Sequence, residues 1–380
     1  MSQPTPARPD SGSAPASAGA FVNPNLGDVG AGPRTDKAII LARLEYRFHA
    51  WREKRARKRG LTPTVMPFPG YGGTGWARVL GRVLIVPPRK LPRRARKRGN
   101  GAEPREIEHF SIRGWRSFVS VPVPRADVTI EANGETHVVR ADRGGVVDAR
   151  IPLALEPGWQ TLRMSVEGSA PVEARIFVVG DDVTFGVVSD IDDTVMVTAL
   201  PRPFIAAWNT FVLDEHARQP VPGMAVLLER LALHHPGAPV IYLSTGAWNV
   251  APTLSRFLSR HLFPKGAMLL TDWGPTHDRM FRSSRAHKEE NLRRLAGEFP
   301  HLKWLLVGDD GQHDDPIYTE FTTEHPGSVA AVAIRRLSRA EAVLAGGRTT
   351  VDEHRAADVP WVTGDDGAEL LERLADVGVL

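Results

Sequence analysis

Between Phe185 and Thr194 the chain reads Phe-Gly-Val-Val-Ser-Asp-Ile-Asp-Asp-Thr. Two valines give way at once to Asp190, Asp192, Asp193 and Thr194. Two later stretches also pass from an apolar run into polar groups. Ile241-Tyr-Leu-Ser-Thr-Gly246 ends in the hydroxyls of Ser244 and Thr245, and Leu305 to Asp315 ends in Asp309, Asp310, Asp314 and Asp315. A helix rich in Glu and Arg is expected to begin at His287-Lys288. Carboxylates gathered at the end of a buried strand are costly unless a cation or hydrogen bonds meet them. A hard divalent ion such as Mg²⁺ would relieve their repulsion. With a hydroxyl and an ammonium beside them, they make a site suited to handling phosphate.

Such groups need elements that bring them together. Short apolar runs bounded by polar residues read as buried parallel strands. They lie at Thr184–Ser189, Pro239–Leu243, Lys303–Val307 and Val329–Ile334, alternating with helical patterns at Gly223–His234, Pro252–His261 and His287–Glu298. The alternation predicts an α/β fold with a doubly wound, Rossmann-like parallel sheet. Ligands of such sheets bind outside the carboxyl ends of the strands. If the strands run parallel, all four clusters meet at one rim. A further helix is expected between Trp361 and Leu380.

The region before this is different. From Glu106 to Val179 the pattern is β, with Asn133-Gly134 marking a type I′ hairpin inside Asp127–Arg140. Strands are also expected at Ala77–Val86, Gln160–Val166 and Glu173–Val179, giving a small antiparallel β-sandwich. Gly70-Tyr-Gly-Gly-Thr-Gly75 has the glycines of a dinucleotide loop but not its strand-to-helix setting, so a tight loop is expected there. The resulting division is a disordered tail at 1–34, a basic amphipathic helix at 35–60, the sandwich at 61–180, a catalytic domain at 181–345 and a C-terminal extension at 346–380.

Composition narrows the function. The 380 residues hold no cysteine, which excludes disulfides, thiol catalysis and cysteine-bound zinc, and suits a cytoplasmic protein. No apolar run approaches the ~20 residues of a membrane span. The net charge of +4 is uneven: residues 51–60 and 89–98 hold 13 of the 48 Lys and Arg, and Arg-Ala-Arg-Lys-Arg-Gly occurs at both 55–60 and 94–99. The remainder is net acidic. The basic segments suit peripheral contact with an anionic membrane, with nucleic acid the less favoured partner.

The motifs resemble those of the haloacid-dehalogenase-like phosphatase superfamily: Asp190-Ile-Asp192-Asp193-Thr194, then Ser244, Lys288, and Gly308-Asp309 with further acids. Ser189 to Thr194, Ser244 to Asn249, His287-Lys288 and Gly308 to Tyr318 are similar, more closely, to the actin-patch phosphatidate phosphatase family and its bacterial relatives. The likeness spans roughly residues 70–340. It implies a Mg²⁺-dependent phosphatase acting on a phospholipid such as phosphatidate. One departure is Ser-Thr-Gly-Ala-Trp at 244–248, where fungal members tend to have Ser-Asn-Ser-Pro-Trp. The hydroxyl is kept; the change falls on loop shape, and hence on substrate.

Each residue then has an expected role. Asp190 attacks phosphorus and becomes an aspartyl-phosphate. Asp192 protonates the leaving alcohol and later activates water. Thr194 fixes the loop. Ser244, Thr245 and Lys288 bind phosphoryl oxygens. Asp190, the main-chain carbonyl of Asp192, and Asp309 ligate Mg²⁺, with Asp310 and Asp314 competing for the remaining contact. Asp193 is expected to be structural or surface-facing. His234, His235, His277, His287 and His313 would suit zinc, but hard acids outnumber them at the strand ends. Met196–Pro222, with Phe204, Ile205, Trp208 and Phe211, is short for a cap domain and suits an apolar rim at an open site. The rival readings are a binding module with a relic site, a phosphatase for a soluble phosphomonoester, and a metal-dependent glycosyltransferase using Asp190 and Asp192.

Overall fold

The computed structural model describes residues 61–85, 121–197, 218–271, 277–311, 314–345 and 358–380, together with Arg55 and Gly347; side chains of the long helix at 277–298 are described from Arg285 onward. The expected tail, the basic helix apart from Arg55, and the basic loop lie outside these residues, as do Phe204, Ile205, Trp208 and Phe211.

The N-terminal β domain comprises β1 (Pro63–Gly73), β2 (Trp76–Ile85), β3 (Val121–Pro122), β4 (Asp127–Ala132), β5 (Glu135–Arg140), β6 (Val146–Pro152), β7 (Gly158–Val166) and β8 (Val172–Val179). Hydrogen bonds join all eight into one sheet of order β3-β2-β1-β8-β7-β4-β5, with β6 also on β2. Most neighbours are antiparallel, but β1 and β8 run parallel. The expected fully antiparallel sandwich is therefore a continuous mixed sheet here. At the β4–β5 turn Asn133 and Gly134 have φ of 50° and 80°, both positive as a type I′ turn requires. The glycine-rich stretch is part strand and part tight turn: β1 continues through Gly73, Thr74-Gly75 turns the chain into β2, and a bulge between Phe68 and Tyr71 absorbs Pro69, which cannot donate to a ladder.

Side chains of β2 alternate in purpose. Ala77, Val79, Val83 and Ile85 enter the β domain's own core, whereas Leu80 and Leu84 join Met66, Phe68 and Tyr71 in a second cluster shared with the following domain. There Phe68 stacks on Trp248 at 5.1 Å, and Trp76 meets Phe299 at 5.2 Å.

The second domain runs β9 (Phe185–Asp190), β10 (Met196–Val197), β11 (Gln219–Pro220), α1 (Met224–His234), β12 (Val240–Ala247), α2 (Ala251–Arg260), β13 (Ala267–Thr271), α3 (His277–Glu298), β14 (Lys303–Asp309), α4 (Asp314–Glu324), β15 (Val329–Arg335), α5 (Arg339–Ala345), β16 (Trp361–Gly364) and α6 (Gly367–Asp376). Its six-stranded sheet has order β13-β12-β9-β14-β15-β16, every neighbouring pair parallel. The chain winds outward from β9 through β12 to β13, then crosses back to β14 on the other side. β9 is thus central, beside the switch point where such sheets bind ligands. Burial on both faces explains its unbroken apolar run. At Gly186 a Cβ would lie 2.5 Å from Trp304 Cζ3, so the indole of β14 fills the space that glycine leaves.

The start of one helix needs correction. α3 starts ten residues before His287, so Lys288 sits mid-helix rather than at its start. The helix expected between Trp361 and Leu380 is present as α6, with Asp366 accepting from the Ala368 and Glu369 N–H groups, and the strand β16, paired with β15, precedes it. The short strand β13 and helix α4 were not expected at all.

Candidate active site

β9 ends at Asp190 and β14 ends at Asp309, on neighbouring parallel strands. α4 begins at Asp314, just beyond the β14 strand end. The carboxylates of Asp190, Asp309 and Asp314 each place an oxygen within 4.8 Å of the others, and all three are buried. Lys288 reaches them from α3: its Nζ lies 2.6 Å from Asp190 Oδ1 and donates to Asp314 Oδ1 as well. Asp190, Lys288, Asp309 and Asp314 are far apart along the chain, and the fold brings them into one contact set.

Hydrogen bonds hold the surrounding loops. Gly311 N–H donates to Asp309 Oδ1 at 2.7 Å, and Thr194 Oγ1 approaches Asp309 Oδ2 at 3.5 Å. After β9 the backbone curls, with the N–H groups of Val195 and Met196 donating to the Ile191 carbonyl. Asp193 occupies the left-handed region at φ 58° in this curl, and its carbonyl accepts from Arg335 Nη1 at 2.7 Å. The Asp193 backbone thus ties this curl to β15. Ser244, buried in β12 just past Leu243, where pairing with β9 ends, donates to Asp192 Oδ2 at 3.0 Å, while Gly246 N–H donates to Ser244 Oγ at 3.0 Å. Thr245 is half-buried, and its carbonyl accepts from Thr271 Oγ1.

Asp310 and Asp314 were equal in the sequence, and the geometry separates them. Asp314 joins the carboxylate cluster. Asp310 accepts from Leu337 N–H at 2.8 Å, tying the β14 loop to the segment after β15. Asp315 accepts from Thr319 within α4. The cluster contains no histidine among the described residues. His287 points instead to the Leu269 carbonyl, and the side chains of His277 and His313 lie outside the described set.

Burial, then repulsion from Asp314, Asp192 and Asp309, pushes the Asp190 carboxyl well above the usual range, with Lys288 opposing. Asp309 is raised by burial and by Asp314. Burial would lower Lys288, yet Asp190 and Asp314 outweigh it and keep the ammonium charged. Fully ionised, three carboxylates against one ammonium carry two negative charges, which one divalent cation would match. The donor set is all oxygen, as Mg²⁺ requires.

Arg335 was missed by sequence reasoning. Besides holding Asp193 it pairs with Glu341 at 2.8 Å, so β15 anchors the curl after β9. Nothing local in the sequence marks it.

Residues 185–336 match the family model described as the catalytic domain of phosphatidate phosphatase APP1. This segment is similar to the APP1 catalytic domain over about two fifths of the chain. The chain is 26% identical over 180 residues to the phosphatidate phosphatase APP1 of Saccharomyces cerevisiae, covering 46% of this chain and 30% of that protein. It is 25% identical over 150 residues to an uncharacterized protein of Schizosaccharomyces pombe, covering 39% and 24%. The chain therefore spans less than a third of the length of these curated relatives. A haloacid dehalogenase-like hydrolase of Burkholderia xenovorans aligns with 15% identity and a TM-score of 0.33, over 51% of this chain and 98% of that one. Every candidate catalytic residue named above falls inside the APP1-type segment. The N-terminal β domain lies outside it.

Proposed function

We propose that this chain is a Mg²⁺-dependent phosphomonoester phosphatase that works through an aspartyl-phosphate on Asp190, with a phospholipid such as phosphatidate as substrate. The observation carrying the reading is Lys288, whose one ammonium bonds Asp190 and Asp314 beside Asp309 at the end of the parallel sheet.

Asp190 Oδ attacks phosphorus as the bond from phosphorus to the ester oxygen breaks. Asp192 gives its proton to the departing alcohol. Water then attacks the phosphorus of the aspartyl-phosphate, Asp192 takes a proton from that water, and the Asp190–phosphorus bond breaks to release phosphate. Ser244 is held by Gly246 N–H and turns its hydroxyl from Asp192 to a phosphoryl oxygen, with Thr245 beside it. Lys288 holds a second phosphoryl oxygen. Asp190, Asp309 and Asp314, with the main-chain carbonyl of Asp192, would hold Mg²⁺, which supplies charge against the phosphoryl oxygens.

The lipid substrate is supported by the likeness of residues 185–336 to the APP1 catalytic domain and by the two basic segments. No helix among the described residues is long and apolar enough to cross a membrane. We place the protein in the cytoplasm, touching anionic membrane from outside the bilayer.

The test is inorganic phosphate release from phosphatidate vesicles and from a panel of soluble phosphomonoesters, with Mg²⁺ and with chelator. Release from phosphatidate, Mg²⁺-dependent and lost by ~10³-fold or more in Asp190→Asn with circular dichroism unchanged, is the expected result. Release from the soluble panel alone would remove the lipid assignment. Absence of release from every ester would leave the binding-module reading, which a salt titration on liposomes and duplex DNA then resolves.

A further inference from the structure

The face of α3 turned to the N-terminal β domain is not apolar. His287, Asn291, Arg294 and Glu298 recur at spacings of four, three and four, which places them on one helical stripe. The stripe is tied from end to end. Asn291 Nδ2 donates to the His287 carbonyl at 2.7 Å, and Arg294 Nη2 donates to Asn291 Oδ1. Arg294 Nη1 lies 2.8 Å from Asp148 Oδ2 on β6, and the other oxygen of Asp148 accepts from Arg78 Nη1 at 2.6 Å on β2. Arg78 also binds Glu298, which accepts from Tyr71 OH at 2.8 Å. Two arginines and two carboxylates thus balance in charge where the domains meet.

Such a buried set is poor evidence of stability, since packed apolar side chains often serve equally well. What it adds is direction. Apolar packing is non-directional, whereas charge-assisted hydrogen bonds hold one distance and one angle. Lys288 follows His287 directly, so its height and azimuth are set by the same stripe. Its ammonium must meet both Asp190 and Asp314. A shift of about 1 Å in such a group can lower a rate ~100-fold.

We infer that the N-terminal β domain is part of the apparatus that places Lys288: Asp148 and Arg294 are positioning residues that fix the rotation and height of α3. The inference rests on the phosphatase reading for the role of Lys288, while the clamp itself is a statement about α3. It makes a domain outside the APP1-type segment necessary for full turnover.

The experiment compares Asp148→Asn, Arg294→Gln, their double variant and Arg294→Lys in the full chain. Turnover of p-nitrophenyl phosphate is measured with saturating MgCl₂, below each variant's melting temperature, alongside amide hydrogen exchange. Asp148→Asn and Arg294→Gln should each lower kcat ~10- to 100-fold, most of the loss falling in kcat rather than KM. The double variant should be no worse than the poorer single one, because the two residues act as one unit. Arg294→Lys should recover part of kcat. Exchange at residues 286–292 should quicken about tenfold, with α6 unaffected. A merely structural role would lower the melting temperature and leave kcat of the folded protein within twofold of the parent; that result, or unchanged protection at 286–292, overturns the inference. If the parent releases no phosphate, the phosphatase reading fails separately, and exchange alone decides whether the β domain clamps α3.

Discussion

Asp309 shows how a single side chain can oppose folding and serve a site. It is buried, repelled by Asp314, and its carboxyl is raised above the usual range. For an acid, a folded-state pKa above the unfolded value means the charged form weakens the fold at neutral pH. Asn at this position keeps an oxygen to accept from Gly311 N–H and removes the charge. In chelator, Asp309→Asn should therefore melt several degrees above the parent. With Mg²⁺ at 100 times its Kd the parent should gain about 2.7 kcal/mol and the variant almost nothing, so the order reverses. A variant that melts lower than the parent in chelator would show that repulsion is not the governing effect. Asp310 gives the contrast. Asp310→Asn keeps the acceptor for Leu337 N–H and should leave the Mg²⁺ response intact, which a thermal melt with and without the ion would show. The chemistry-bearing residues were legible because their types change abruptly at strand ends; the choice between Asp310 and Asp314 was not, because it depends on where α4 begins.

Among the elements, β9, β12, β14 and β15 were legible as apolar runs, and α1 and α2 as periodic ones. β13 and β16 escaped because five and four residues are too few to show a period. The first half of α3, His-Asp-Arg-Met-Phe-Arg-Ser-Ser-Arg, has no apolar stripe to announce a helix. Its second half carries a stripe that is polar and still inward, legible as spacing but not as an interface, because Arg78 and Asp148 are distant in sequence. His287 makes that stripe sensitive to pH. Burial lowers its pKa from 6.5 to about 4, helped by Arg294 and Lys288 and opposed by the Leu269 carbonyl and Asp148. Below pH 6.5 the unfolded chain takes up a proton that the native imidazole refuses, so stability falls as pH drops from 6.5 towards 4. Between pH 7 and 5 this one group should remove about 2 kcal/mol. His287→Gln should lose correspondingly less than the parent when urea midpoints at the two pH values are compared; parallel losses would mean that His287 does not govern the window.

At the scale of the whole molecule, the two domains share one apolar cluster as well as the ionic set. Met66, Phe68, Tyr71, Leu80 and Leu84 of the β domain are continuous with the core around the parallel sheet, so separating the domains would expose Trp248 and Phe299 together. The described body should consequently unfold as one unit, giving a single calorimetric transition. Two transitions well apart in temperature would contradict that coupling. The ionic set sharpens the expectation. Arg78→Met removes the guanidinium that binds Glu298, leaving the Glu298 carboxylate with the neutral Tyr71 hydroxyl as donor. Breaking a buried pair from one side costs about 3 kcal/mol or more, because the remaining charge stays desolvated. Replacing both partners, Arg78→Met with Glu298→Met, should return most of that stability, since no charge is then stranded. If the single variant is as stable as the parent, Glu298 reaches water and the interface is looser than its geometry indicates. If the double variant recovers stability but not turnover, the charges at this interface act on where α3 stands rather than on whether the chain folds.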